Sequence, residues 1–313
     1  MSHIDPGQGA PEAAAPPAAG DREGLSVARR SQWRMFRQRF LAHRLAMISL
    51  FVLTVIIILA LNAERLTPYA YDQMVLANAD LPPTFQDRHF FGTDRLGRDY
   101  FSRVIFGTRT TVLVALLVAT LSTAVGTAIG ALAGYFGGWL DNLLMRVTDL
   151  VIVLPGLAVL MILVAFVGEG SPIRVAFILS ALMWTLIARI VRAQFLSLRK
   201  REFVEAALLA GASVPRIIVR HMLPNAMGPI IVNATLTIAT AILIESALSF
   251  LGFGVQPPVP ALGQLIASGR ATMMTHWWLV TLPGLMIVTI CLAVNFIGDG
   301  LRDALDARQQ IKG

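Results

Sequence analysis

Charge is scarce in this chain. Only 14% of its 313 residues are Asp, Glu, Lys or Arg, and 56% are hydrophobic, whereas a soluble domain usually carries about 25% charged residues. That scarcity points to a membrane protein. Lysine is nearly absent. Lys200 and Lys312 are the two that occur, and neither follows a glycine, so the Gly-Lys step of a phosphate-cradling loop is missing. The single cysteine, Cys291, excludes an internal disulfide and a cysteine-based zinc site. Inside an apolar run it reads as a small buried side chain. No histidine precedes a glutamate, which removes the common zinc-protease helix. No Gly-x-Ser-x-Gly elbow occurs. An enzyme is therefore unsupported, and no catalytic residue, metal ligand or cofactor of its own is assigned to the chain.

What the chain has is apolar length. Spanning a bilayer takes about 20 apolar residues in a helix, and six segments meet that need, at 45–61, 111–135, 147–167, 173–196, 229–253 and 277–298. The formal charge of +7 fits basic loops beside anionic lipid. Nucleic-acid binding is disfavoured, because no basic stretch has interleaved aromatics for stacking bases. With the N-terminus inside, 18 Lys and Arg fall on the cytoplasmic side and 8 outside, six of the eight in one near-neutral loop. Both termini are thus expected in the cytoplasm. The expected organisation is a disordered Ala/Pro/Gly-rich tail at 1–28, a basic segment and first span at 29–62, and an extracytoplasmic loop at 63–110. A transmembrane core follows at 111–300, then a cytoplasmic tail at 301–313. The tail lacks the basic-then-apolar order of a signal peptide.

Gly126, Gly130 and Gly134 recur every four residues in the second segment, with Ser122 in phase. Small residues at that interval let a second helix approach closely. Two readings stand: a seam that slides during a conformational cycle, or static packing. Glu245 lies among apolar residues of the fifth segment and must face a partner or a wet cavity. It either lines a solute path or makes a structural pair. Asp149, Asn233, Asn295 and Asp299 read as helix–helix or interfacial groups.

The most informative stretch, 197–225, joins the fourth and fifth segments on the expected cytoplasmic side. Phe203 to Ala210 are mostly strong helix formers. Gly211 stands where a left-handed cap would end the helix, and Pro215 suits the first turn of a second one, started after Ser213. Pro224-Asn225 is expected to end that second helix before the fifth span. The result is an Ala-rich helix on two stiff arms, its small residues suited to a partner's groove, with Arg199-Lys200-Arg201 at its base near lipid headgroups. An ordinary interfacial helix is the plainer alternative.

Glu205-Ala206-Ala207, three residues, Gly211, and then Leu223-Pro224 resemble the signature of ABC importer permeases. Two departures occur. His221 replaces an apolar residue, which resembles the peptide branch, and Leu208-Leu209-Ala210 replaces a more usual Arg-Ala-Leu. Phe91 through Asp99 (FGTDRLGRD), Gly134 through Gly138 with Asp141, Met145-Arg146 and Asp149, and the tail from Asn295 to Asp303 are similar to the C-type subunit of dipeptide and oligopeptide permeases, in the peptide/nickel group. Pro257 to Gly263 departs from that subunit's outer loop.

The resemblance implies an all-α membrane protein with six transmembrane helices, the type I ABC importer permease fold and a cytoplasmic coupling helix, in a bacterial inner membrane. It implies that Phe203, Glu205, Ala206, Ala207, Gly211, Ala212 and Pro215 dock on an ATPase. Implied partners are a second, B-type permease, two ATPases that bind ATP and magnesium, and an extracytoplasmic substrate-binding protein. The implied function is half of a translocation path for di- or oligopeptides. Alternatives are an importer of another solute such as a metal chelate, a stand-alone secondary transporter, for which no convincing internal repeat is seen, or an assembly scaffold.

Overall fold

The computed structural model describes residues 32–85, 87–168 and 170–309. The expected disordered tail lies outside them. Among the described residues the chain is helical, with isolated bridges in place of strands. Helix α1 (Gln32–Ala42) leads into α2 (Arg44–Leu61), whose first turn is capped by His43 Nδ1 accepting from the Ala46 amide at 3.1 Å. A short α3 (Ala63–Leu66) opens the outer loop. Helix α4 (Tyr100–Phe136) has 37 residues, about 55 Å at 1.5 Å per residue, so it outruns a hydrocarbon core of about 30 Å. It starts well before position 111, because Asp99 Oδ2 accepts from the Ser102 amide (2.7 Å) and hydroxyl (2.6 Å) and so caps an earlier turn.

The third apolar segment is not one continuous helix. Helix α5 (Gly138–Val153) and α6 (Gly156–Val167) meet at a 90° bend. Pro155 is the cause. It forces the preceding residue out of the helical region, and Leu154 sits at φ −66°, ψ 140°. Helix α7 (Pro172–Leu198) then runs to α8 (Glu202–Leu209). Next come α9 (Val214–Arg216), a π-helical stretch (Ile217–Met222) and α10 (Leu223–Phe250). These three form one helix, Val214–Phe250, so Pro224-Asn225 does not end it. Pro224 has no amide to donate. The ladder widens just before it, with the Leu223 amide reaching Ile218 O, five residues back, and the π turn absorbs the defect. Helices α11 (Leu262–Gly269) and α12 (Trp278–Gln309) complete the described residues.

Among the described residues, five continuous helices are long and apolar enough to cross a membrane, and the bent α5–α6 pair makes a sixth candidate. Between 22% and 44% of each continuous helix's most apolar window is buried within the chain. Outward apolar side chains, such as Phe51 on α2 and Trp139 and Phe166 on the bent pair, need lipid or another subunit to cover them.

The tightest packing is α4 on α7. A β-carbon added at Gly126 would lie 2.6 Å from Trp184 O, at Gly130 2.4 Å from Ala188 O, and at Gly134 2.6 Å from Phe195 Cβ. The glycine stripe therefore sets backbone against backbone, which only glycine permits. A larger apolar cluster joins α4, α7, α10, α11 and α12. A smaller one, with Tyr135, Val191, Phe195, Val204, Ile217 and Met222, lies under α8.

The FGTDRLGRD stretch is a folded knot. Asp94 Oδ1 accepts from the Leu96 and Arg98 amides, and its Oδ2 pairs with the Arg98 guanidinium at 2.7 Å. His89 Nδ1 meets Asp99 Oδ1 at 2.9 Å. Trp278 Nε1 donates to Thr93 O at 3.4 Å, which ties the knot to α12.

The candidate coupling site

Helix α8 is eight residues long, too short to persist alone. Three features hold it. Glu202 and Glu205 occupy its first turn, where the helix dipole favours negative charge. Val204 is fully buried in the smaller cluster, and Ala207, Ala212 and Val214 pack beside it. The end is locked by paired bonds: Ala212 N–H donates to Ala207 O and Gly211 N–H to Leu208 O, both at 3.0 Å. This six-to-one and five-to-two pairing needs a left-handed residue at the cap, and Gly211 has φ +74°.

The predicted site residues thus divide. Phe203, Glu205, Ala206, Gly211 and Pro215 lie on the free surface, whereas Ala207 and Ala212 are half-buried and form the seat. Composition alone did not single out Leu208 and Leu209. Both are exposed, Leu209 at 90%. Their signal was the departure from the more usual Arg-Ala-Leu, which placed two leucines where solvent-facing residues belong. An exposed leucine pair at the tip of a projecting helix is apolar surface available to a partner.

The arms are stiff. Arg199 N–H donates to Phe195 O at 2.9 Å, and Arg199 Nη1 reaches Phe136 O at 3.4 Å, tying the foot of α8 to the end of α4. An open recess lined by Leu196, Ser197, Lys200 and Arg201 lies at this foot. On the other arm, His221 sits in the π turn and its carbonyl accepts from Asn225 Nδ2 at 2.6 Å. The departure at His221 therefore falls where the ladder is widened.

Glu245 lies far from α8, in the second half of α10, and is wholly buried. Its Oε1 accepts from Ser249 Oγ at 2.7 Å and its Oε2 from Thr111 Oγ1 at 3.3 Å. Thr111 Oγ1 in turn accepts the Leu262 amide at 3.2 Å. The carboxylate is the centre of a buried knot joining α4, α10 and α11.

Residues 126–311 match the family described as binding-protein-dependent transport system inner membrane component. The chain belongs to that family. Residues 31–83 match the N-terminal transmembrane domain of oligopeptide transport permease C. The oligopeptide transport system permease protein OppC of Escherichia coli (strain K12) is 41% identical over 289 residues, covering 92% of this chain and 95% of that protein. OppC of Bacillus subtilis (strain 168) is 36% identical over 290 residues, covering 93% and 94%. Among solved structures, a chain of the MetNI methionine ABC transporter in an inward-facing conformation is 17% identical, with a TM-score of 0.48 over 64% of this chain and 96% of that one. This permease is therefore a multi-pass inner-membrane protein and a non-catalytic component of a transport system. The family decides against the stand-alone transporter and the enzyme alike.

Proposed function

We propose that this permease is one half of a translocation path for oligopeptides, driven by ATP that separate subunits hydrolyse. The single observation that carries the reading is α8, a short helix with a buried seat, a locked end and an apolar tip, set between two spanning helices. The exposed pair Leu208 and Leu209 gives a partner apolar surface to cover. The relatives named for oligopeptide transport supply the solute class.

In this reading α8 enters a cleft of an ABC ATPase, with Phe203, Glu205, Ala206, Gly211 and Pro215 at the contact and Ala207 and Ala212 holding the helix to the membrane core. Both termini face the cytoplasm. A second permease of B type completes a pseudo-two-fold path. Two ATPases carry ATP and magnesium below, and a binding protein delivers peptide from above. ATP favours one of two packings of the spans through its differential affinity for the two states. Exposed apolar faces such as that of α5 meet lipid and the second permease.

The test is purification of the tagged protein from native membranes in mild detergent, with mass spectrometry of what accompanies it and peptide uptake by the same cells. A second permease, ATPases and a binding protein loaded with peptide are expected. Recovery of the chain alone, where a control importer stays intact, refutes the reading. A binding protein loaded with a metal chelate keeps the importer and replaces the solute.

A further inference from the structure

We propose that two ion pairs between α5 and α7, Asp141–Arg192 and Asp149–Arg189, form a clasp that passes movement of α8 to the first half of the broken span. The proposal rests on α8 being the ATPase-docking helix. It adds the route by which that docking moves a particular spanning element, and it makes Asp141 and Arg192 positioning residues for transport.

The contrast between α4 and α5, both packed on α7, carries the argument. Helix α4 is locked to α7 by the glycine stripe, where any β-carbon would strike backbone or side chain, so α4 and α7 move as one body. Helix α5 has no such seam. Among its residues Asp141 and Thr148 are buried, while Trp139, Leu143, Val147, Leu150 and Val153 are exposed. Thr148 Oγ1 is satisfied within α5 by Leu144 O at 2.8 Å. The hydrogen bonds that reach across to α7 are between charged groups. Arg192 Nε donates to Asp141 Oδ1 at 2.5 Å and its Nη2 to Asp141 Oδ2 at 2.6 Å. Arg189 Nη2 donates to Asp149 Oδ1 at 2.5 Å.

Geometry makes the pairs a grip and not a pivot. The two carboxylates are eight residues apart, about 12 Å along α5, while the guanidiniums are three apart, about 4.5 Å along α7. Long Arg side chains fan out from one short stretch of α7 and hold α5 at two separated points, so α5 is carried with α7 although it packs on α7 far less closely than α4 does. Arg192 lies six residues before the end of α7 at Leu198, and α8 begins at Glu202. A displacement of α8 therefore reaches the clasp through less than two turns of helix and a three-residue link. Beyond the clasp, the 90° bend at Leu154–Pro155 frees α5 to turn without dragging α6. The pairs are unequal. The carboxylate of Asp141 is 11% exposed, whereas Asp149 and Arg189 are each about half exposed, at 47% and 48%. Water weakens the second pair, so the first carries more.

The experiment uses the assembled transporter in proteoliposomes with an oligopeptide and its binding protein. It measures peptide transported per ATP hydrolysed. Asp141→Asn should leave the subunits associated and ATP hydrolysis in place, yet lower transport per ATP by about fivefold or more, the low end of ordinary coupling energies. Asp149→Asn should do less. The exchanged pair Asp141→Arg with Arg192→Asp should recover much of the ratio, which a merely structural role of either residue alone would not predict. Should the Asp141 variants fail to assemble, Arg192→Lys, which keeps the charge but not the two-bond contact with Asp141, carries the test, with a reduced ratio supporting the clasp and an unchanged one overturning it. An unchanged ratio in assembled Asp141→Asn overturns the proposal, as does an exchanged pair that assembles and stays uncoupled. Gly211→Leu run alongside separates the two claims. If it uncouples while the clasp variants do not, the clasp alone is wrong. If neither uncouples, the docking role of α8 is wrong as well.

Discussion

Replacing Gly211 tests the lock at the end of α8, and the structure predicts how different side chains rank. The cap holds two bonds of 3.0 Å, Ala212 N–H to Ala207 O and Gly211 N–H to Leu208 O, and needs φ +74° at Gly211. A residue with a β-carbon loses about 1–2 kcal/mol in that left-handed conformation, while Asn adopts it more readily. Among the described residues nothing lies within 4 Å of a β-carbon added there, so collision with them adds no further cost. About 1.4 kcal/mol is a factor of ten in an equilibrium, so Gly211→Ala should raise the frayed fraction of α8 roughly tenfold, and Gly211→Asn by much less. Gly211→Leu adds the same strain and fills the open space where a docked subunit would stand. Peptide uptake and ATP hydrolysis, measured in the reconstituted complex, should fall out of step in the order Asn, Ala, Leu, with membrane insertion unaffected. Normal transport by Gly211→Leu would refute the reasoning. Asn as damaging as Leu would assign Gly211 to the contact surface and not to the lock.

The glycine seam and the buried carboxylate yield further outcomes. Gly130→Val places atoms 2.4 Å from Ala188 O, and overpacking of this kind costs about 1–3 kcal/mol. A clearly lowered thermal midpoint of the detergent-solubilised complex is expected, and an unchanged midpoint would mean that α4 and α7 separate easily, as a sliding seam requires. Glu245→Gln preserves acceptance from Ser249 or Thr111 and should transport normally, whereas Glu245→Leu strands both hydroxyls at about 1–3 kcal/mol for each buried group left unpaired and should lower the yield of assembled complex. Loss of transport in a well-assembled Glu245→Gln variant would instead place the carboxylate on the solute path. Cys291 is buried and its Sγ faces Ala239 O at 3.8 Å, so a membrane-permeant maleimide should leave it unmodified in the folded complex.

Much of this architecture was legible because apolar length and small-residue spacing are local signals. The spans around α2, α7 and α12 follow directly from uninterrupted apolar runs, and the α4 stripe from a spacing of four. The helix of α8 and its glycine lock were legible for the same reason: Phe203 to Ala210 favour helix, and Gly211 supplies the one conformation that ends it. Three features escaped. Pro155 breaks an apolar run that hydropathy reads as continuous, because averaging over a window hides one residue's backbone restriction. Pro224 was expected to stop a helix and instead sits within one, because a π turn supplied by tertiary packing accommodates it. The opening of α4 at Tyr100 was hidden by charge, although Asp99 with Ser102 is a cap in plain view. Of the candidate site, the residue types were legible but their division into a buried seat and a free tip was not. That division depends on which face of α8 meets Phe195 and Ile217, a fact of packing between segments. The pairing of Asp141 with Arg192, 51 positions apart, is invisible to any local pattern.

The docking of α8 can be read by one covalent bond. Leu209 is 90% exposed at the tip of α8, and Cys291, the one native thiol of this chain, is buried, so Leu209→Cys gives a single reactive site on this chain. In inside-out membrane vesicles holding the whole transporter, a short bifunctional thiol–amine reagent should join that cysteine to an ATPase subunit, with a yield that changes when ATP is added. Labelling of Leu209→Cys by an impermeant thiol reagent from the periplasmic side, or a cysteine open to the cytoplasm that never joins an ATPase, would contradict the assignment of α8 as the coupling helix.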